Sequence, residues 1–160
     1  MSYYRDVSDK LAFMTDITWT EWSVVNKLVL NYADDTNDSV TTLAWNDSFR
    51  YSIGVAYQYN DKYKLRCGLA YDETPISSEV LREVRVPDGD RFWITIGASL
   101  KFSDELSLEA AYAYVTAPND PVIDKRTLTP STEDVARGLL NGQYDVTVNI
   151  VSVQLNYNFE

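Results

Sequence analysis

Histidine is missing from this 160-residue chain, and cysteine occurs once, at Cys67. Without an imidazole there is no usual general base, no usual zinc ligand and no serine–histidine catalytic pair. One thiol excludes an internal disulfide and a cysteine-based metal cluster. Cations are few: 14 Lys and Arg against 24 Asp and Glu give a net charge of −10. No basic patch can then replace phosphate counterions, which excludes nucleic acid as a partner. Long apolar runs are also lacking, and none approaches the roughly 20 residues of a transmembrane helix. The opening MSYYRDVSDK has no cationic start, apolar core or cleavage site of a secretion signal. If the chain lies in an outer membrane, the expectation is that it is part of a longer precursor.

Aromatic residues, by contrast, are plentiful, with 12 Tyr, five Phe and four Trp. They fall in alternating runs. In one, Leu65, Cys67, Leu69 and Tyr71 oppose Lys64, Arg66, Gly68, Ala70 and Asp72. In the next, Phe92, Ile94, Ile96, Ala98, Leu100 and Phe102 oppose Arg91, Trp93, Thr95, Gly97, Ser99 and Lys101. A period of two marks a β-strand, because successive side chains leave a pleated backbone on opposite faces. About ten residues is the length a tilted strand needs to cross a bilayer.

Seven strands are expected on this basis: residues 10–22, 24–32, 49–59, 63–72, 91–102, 106–115 and 144–159. Residues 1–9 read as polar and extended or frayed. In the last strand Val146, Val148 and Ile150 lie on one parity, and Val151, Val153, Leu155, Tyr157 and Phe159 on the other. That phase change predicts a β-bulge near Ile150 and Val151. In the preceding connection STEDVARGLLNG reads as a short capped helix, with Ser131 and Asp134 at its start, Leu139 and Leu140 as its apolar pair and Gly142 as its stop.

The connections alternate short and long. Short turns at one end and long acidic loops at the other are the asymmetry of an outer-membrane barrel, which a soluble sandwich has no reason to show. The fold class expected is therefore all-β, an antiparallel transmembrane meander. Side-chain parity alone also fits a soluble β-barrel or sandwich that binds a hydrophobic ligand, with the apolar face as its core. A third possibility, a small complete barrel, needs an eighth strand from residues 1–9. An enzyme is the weakest reading, since no nucleophile constellation is present and no cofactor is called for.

Three segments carry a family resemblance: GLAYDETPI (68–76), VPDGDRFWITIGAS (86–99) and the terminal NYNF (156–159), with TWTEWSVVNKL (18–28) and YSIGVAYQYNDKYKLRCG (51–68) fitting upstream. Together they are similar to the C-terminal part of the FadL/TodX-type outer-membrane transporters of long-chain fatty acids and other hydrophobic compounds. The resemblance implies about seven strands of a 14-stranded barrel, with no covalent chemistry and localisation in a Gram-negative outer membrane. It also implies that a signal peptide, an N-terminal hatch and a kinked strand beside a lateral opening lie outside this chain. Residues 1–160 then form a single partial barrel domain. Its partners would be a fatty acid or similar molecule, outer-membrane lipid, and either the missing N-terminal half or a second copy to pair the edge strands. Glu160 stands one residue past the terminal aromatic expected of such chains.

Arg66, Arg91, Trp93 and Lys101 are the ligand-binding candidates, all on the lumen parity. For Arg91, beside Asp90, two readings stand: a charge at the mouth that engages a carboxylate, or an ion pair that anchors a loop to the wall. Cys67 reads as a small lipid-facing residue. The Asp72-Glu73 pair matches no calcium loop and reads as a solvated turn. The acidic loops keep themselves hydrated or hold divalent ions against lipopolysaccharide. Trp19, Trp22 and Trp45 read as interfacial anchors or loop packing.

Overall fold

A computed structural model describes residues 1–33, 39–125 and 138–159. Seven strands form one antiparallel sheet: β1 (Ser2–Ser8), β2 (Leu11–Thr20), β5 (Ser48–Gln58), β6 (Tyr63–Asp72), β7 (Arg91–Lys101), β8 (Leu106–Thr116) and β11 (Thr147–Tyr157), in that spatial order. Two hairpins stand outside it: β3 (Lys27–Leu30) with β4 (Ser39–Thr42), and β9 (Val122–Lys125) with β10 (Leu140–Gln143). The wall is a meander. Short turns join β1 to β2, β5 to β6 and β7 to β8, and the long connections all lie at the opposite end.

The count of seven holds, but one member differs from expectation. Residues 24–32 do not enter the wall; their alternating part is the four-residue β3, which pairs only with β4 in the long β2–β5 connection. The place is taken by β1, which pairs with β2 from Ser2↔Asp16 to Ser8↔Leu11. Its outward parity, Tyr3 and Arg5 opposite Thr15 and Phe13, lacks the apolar row that reveals the other strands. What fixes it is the ladder and a two-residue turn in which the Ser8 hydroxyl accepts from the Lys10 and Leu11 amides at 3.3 and 3.2 Å.

No bulge interrupts β11. Its register against β8 runs unbroken from Thr147↔Thr116 to Tyr157↔Leu106. Both parities are apolar near its start for another reason: Val148 and Ile150 lie on the inner face, opposite Val115 and Ala113. Among the described residues a register shift is seen only between Asp6 and Ser8 in β1. Of the helix expected over residues 131–142, 131–137 lie outside the described residues. Leu140 to Gln143 are strand β10, extended against β9.

The two faces differ sharply. One carries Ile17, Ile53, Leu65, Leu69, Ile94, Ile96, Val153 and Leu155, all exposed. Leu65 is 48% accessible and Ile96 57%, so these rows are not the core of a water-soluble body. The other face carries Ala12, Ala56, Ala70 and Val115, all buried. Residues from all seven wall strands, from Ser2 and Tyr4 of β1 to Ser152 and Gln154 of β11, line one concavity of about 620 Å³ on that face. The sheet is therefore a trough, apolar on its convex side.

Glycine at three inner positions lets the strands approach. At Gly68 a Cβ would lie 3.0 Å from Thr95 Oγ1 and 3.1 Å from the Ile53 carbonyl oxygen, where Thr95 donates to the Gly68 carbonyl at 3.2 Å. Gly68→Ala should cost about 1–3 kcal/mol through overpacking, read as a lower urea midpoint for loss of the folded, heat-modifiable band. Gly142→Ala, whose Cβ would meet nothing closer than Ile123 at 3.8 Å, should leave that midpoint in place.

Candidate functional site

At the long-loop end, residues 73–90 are tied to the wall by a ring of polar contacts. Asp90 accepts from the Tyr71 hydroxyl at 2.7 Å and the Thr74 amide at 2.9 Å. Asp88 accepts from the Thr74 hydroxyl at 2.9 Å and lies 3.6 Å from Arg91. Arg91 also meets Asp72 on the neighbouring strand at 3.0 Å. Buried Arg82 crosses to the next connection, donating to the Asp88 carbonyl at 2.9 Å and to that of Val122. Lys125, also buried, meets Glu83 at 3.0 Å. A Cβ on Gly89 would sit 2.5 Å from Pro121 Cγ, so only glycine lets these two loops close together. The dense PDGDRFW segment is a loop clasp.

The β2–β5 connection is fastened separately. Trp22 and Trp45 meet edge to face with ring centres 5.4 Å apart, and the Ser23 amide donates to Asp47 at 2.9 Å. The Asn46 amide donates to the Pro75 carbonyl at 2.8 Å, and the Ser77 hydroxyl to that of Ala44 at 3.1 Å. Trp22 and Trp45 thus pack a loop, and Trp19 lies on the exposed outer face.

Below the clasp, the cross-strand register sets inner side chains in level rows. Thr18, Arg50, Asp72 and Arg91 form the first; Ser2, Asp16, Ser52, Ala70, Trp93, Val115 and Val148 the second. Ala70 is small, so Arg50 leans across β6 and places its guanidinium carbon 4.9 Å from the centre of the Trp93 ring, within the range of a cation–π contact. Trp93 Nε1 and Arg91 Nε are buried with no acceptor. Next come rows of Met14, Gly54, Gly68, Thr95 and Ala113, then Ala12, Ala56, Arg66, Gly97 and Ala111. Arg66 donates to Ser99 at 2.7 Å and lies 3.4 Å from Glu109, whose carboxylate accepts from Ser99 at 3.0 Å.

Of the four candidates, Arg66 and Trp93 line the same 620 Å³ concavity. Arg91 stands at its rim, held by two carboxylates. Lys101 is at the far end, paired with Asp104 at 2.6 Å beside a separate recess of about 200 Å³. Arg50 and Asp16 were not among the candidates, yet both line the concavity. Their inner parity was readable; the reach of Arg50 over Ala70 was not. The wall strands' inner face carries Arg50, Lys64, Arg66, Arg91 and Lys101 against Asp6, Asp16, Asp72 and Glu109, so the chain's net acidity is not found here. Among the described residues no group of three or more His, Cys, Asp or Glu could hold a metal ion.

This arrangement has close relatives. Residues 1–159 match the family model of the outer membrane protein transport proteins (OMPP1/FadL/TodX). The chain belongs to this family. It is 31% identical to outer membrane protein P1 of Haemophilus influenzae over 99% of its own length and 34% of that protein's. It is 28% identical to the long-chain fatty acid transport protein of Escherichia coli K12, over 72% of its own length and 26% of that protein's. The crystal structure of a Pseudomonas aeruginosa FadL homologue superposes with a TM-score of 0.85 at 26% identity, over 99% of this chain and 35% of that one. The chain thus spans between about a quarter and a third of the length of the relatives it matches. The FadL/TodX family is one of outer-membrane transport proteins and not a class of enzymes, and the curved sheet is a wall segment of its barrel.

The fastening of the β2–β5 connection depends on pH. Hydrogen bonds from Ser23, through its side chain first and then its backbone, hold the Asp47 carboxyl below its ordinary range. A depressed carboxyl contributes its stability above the unfolded pKa of about 4 and loses it as pH falls through the folded value. Limited proteolysis within residues 21–47 should therefore speed up below about pH 4. Asp47→Ala should show the fast cleavage already at pH 7.

Proposed function

We propose that this chain forms seven strands of the wall of an outer-membrane barrel that passively admits long-chain fatty acids or other hydrophobic compounds. The observation that carries the reading is the concave face: a floor of Gly54, Gly68, Gly97, Ala56, Ala111 and Ala113, with Arg50 and Trp93 in the rows above it and Arg66 standing in its lower row between Ala56 and Gly97. An extended alkyl chain fits such a floor, where each buried CH₂ contributes roughly 0.8 kcal/mol. A carboxylate at its head finds the exposed Arg50 guanidinium over the Trp93 ring, and Arg66 two rows further down. Arg91 and Lys101, each already paired, add positive potential at the two ends. No bond is made or broken.

The convex face meets bilayer lipid. The free edges of β1 and β11 need partner strands, since an unpaired ladder is not tolerated in hydrocarbon; the remainder of the barrel fits that need better than a second copy, because the family's chains are about three to four times as long. The soluble sandwich is disfavoured by the exposure of the Leu65 and Ile96 rows.

The test is uptake of a labelled long-chain fatty acid by cells that depend on this transporter, with surface expression checked by its heat-modifiable band. Trp93→Ala and Arg66→Gln should each lower the initial rate several-fold, and Arg50→Gln combined with Trp93→Ala about tenfold. Uptake at the wild-type rate in the double variant, with normal expression, would refute the assignment of these residues.

A further inference from the structure

The convex wall is not uniformly filled. On β7 and β8, Ala98 and Ala110 lie directly opposite each other. Leu65 continues that row on one side and Val153 on the other. In the row above, Ile96 and Tyr112 stand off the sheet between Cys67 and Val151. Leu100 and Leu108 form the row below. Two adjacent methyl groups surrounded by long side chains leave a trough of about 650 Å³. Its rim is well exposed, with Ile96 57% and Val151 75% accessible.

The floor of this trough is unusually bare. The inner neighbours of Ala98 and Ala110 in the chain are Gly97 and Ala111, themselves paired across the two strands. Small residues thus occupy both faces at the same level, and Gly97 and Ala111 also line the outer trough. A long, thin apolar ligand can lie almost on the backbone there.

We infer that the trough seats one acyl chain of a membrane phospholipid. The occupant follows from where the trough is. It interrupts the family's lipid-facing surface, so its mouth opens onto hydrocarbon on every side. It lies toward the short-turn end, above the aromatic side chains of Tyr63, Phe102 and Tyr157 that are exposed there, the level at which barrel girdles meet the polar interface. Strands added at the edges of β1 and β11 extend the wall sideways and leave the middle of its convex face open. No cation lies on the outward parity of β5 to β8, so the site reads the hydrocarbon and not the headgroup. This inference rests on the outer-membrane placement and is independent of which compound the lumen admits.

Retention of phospholipid by the intact barrel tests it, by native mass spectrometry of protein purified in detergent and then incubated with defined phosphatidylethanolamine. The wild type should keep one phospholipid through detergent exchange. Ala98→Leu combined with Ala110→Leu fills the trough and should reduce that occupancy at least fivefold; Ile53→Leu, elsewhere on the same face, should not. If the double variant does not fold, alkylating Cys67 of the folded wild type with N-ethylmaleimide blocks the trough beside Ile96 and should give the same loss. Unchanged retention in the filled or alkylated protein overturns the proposal. So does efficient Cys67-to-Cys67 cross-linking between two molecules in vesicles, which would make the trough a contact between copies.

Discussion

Every peptide group within a bilayer must find its hydrogen-bond partner inside the protein, because hydrocarbon offers none. Between the neighbouring strands of this wall that requirement is met by six antiparallel ladders, of which only the β1–β2 pair shows a shift in register. An unbroken ladder leaves no freedom in where side chains go: each is assigned to lipid or lumen by its parity. The apolar rows on β5, β6 and β7 and the level rows of Arg50, Trp93 and Arg66 are two consequences of one register. A slip by one residue would place Arg66 in lipid and Cys67 in the lumen.

Outside the hydrocarbon the constraint relaxes, and other forces take over. The long connections are held by carboxylates that each do more than one thing: Asp88 and Asp90 both bind Thr74 while Arg91 and Tyr71 tie them to the wall. Such exposed or half-exposed pairs are individually weak, but they share partners and close around buried Arg82, whose donors reach backbone carbonyls on two connections. The loop cluster therefore behaves as a cap with its own small core around Ile76 and Ile123.

What the sequence revealed follows the same division. Where one face is lipid and the other lumen, alternation is strong, and β5 to β8 were legible almost to the residue. β1 was not, because an edge strand carrying Arg5 outward has no apolar row to read; only pairing with β2 defines it. Residues 24–32 misled for the opposite reason: Leu28 and Leu30 alternate properly, but alternation cannot say which strand is a neighbour. In β11, apolar residues on both parities looked like a bulge because an inner face was assumed to be polar throughout, whereas Val148 and Ile150 continue an apolar patch beside Val115. Among the site candidates, Arg66 and Trp93 were placed by parity alone. Arg50 was missed because its contact runs across an intervening strand, and that depends on the size of Ala70 rather than on any pattern along β5.

Side-chain size emerges as the variable that parity leaves open. Small residues on the inner face widen the lumen, and small residues on the outer face indent the wall; at Gly97-Ala98 and Ala110-Ala111 both occur at once. The lumen and the surrounding lipid are separated there by little more than one layer of backbone. That layer nonetheless stays closed, since Gly97↔Ala111 and Ala98↔Ala110 are consecutive rungs of a continuous ladder. In such a thin wall the backbone ladder carries what side-chain packing does not. The cost of omitting side chains falls on the apolar contacts at either surface.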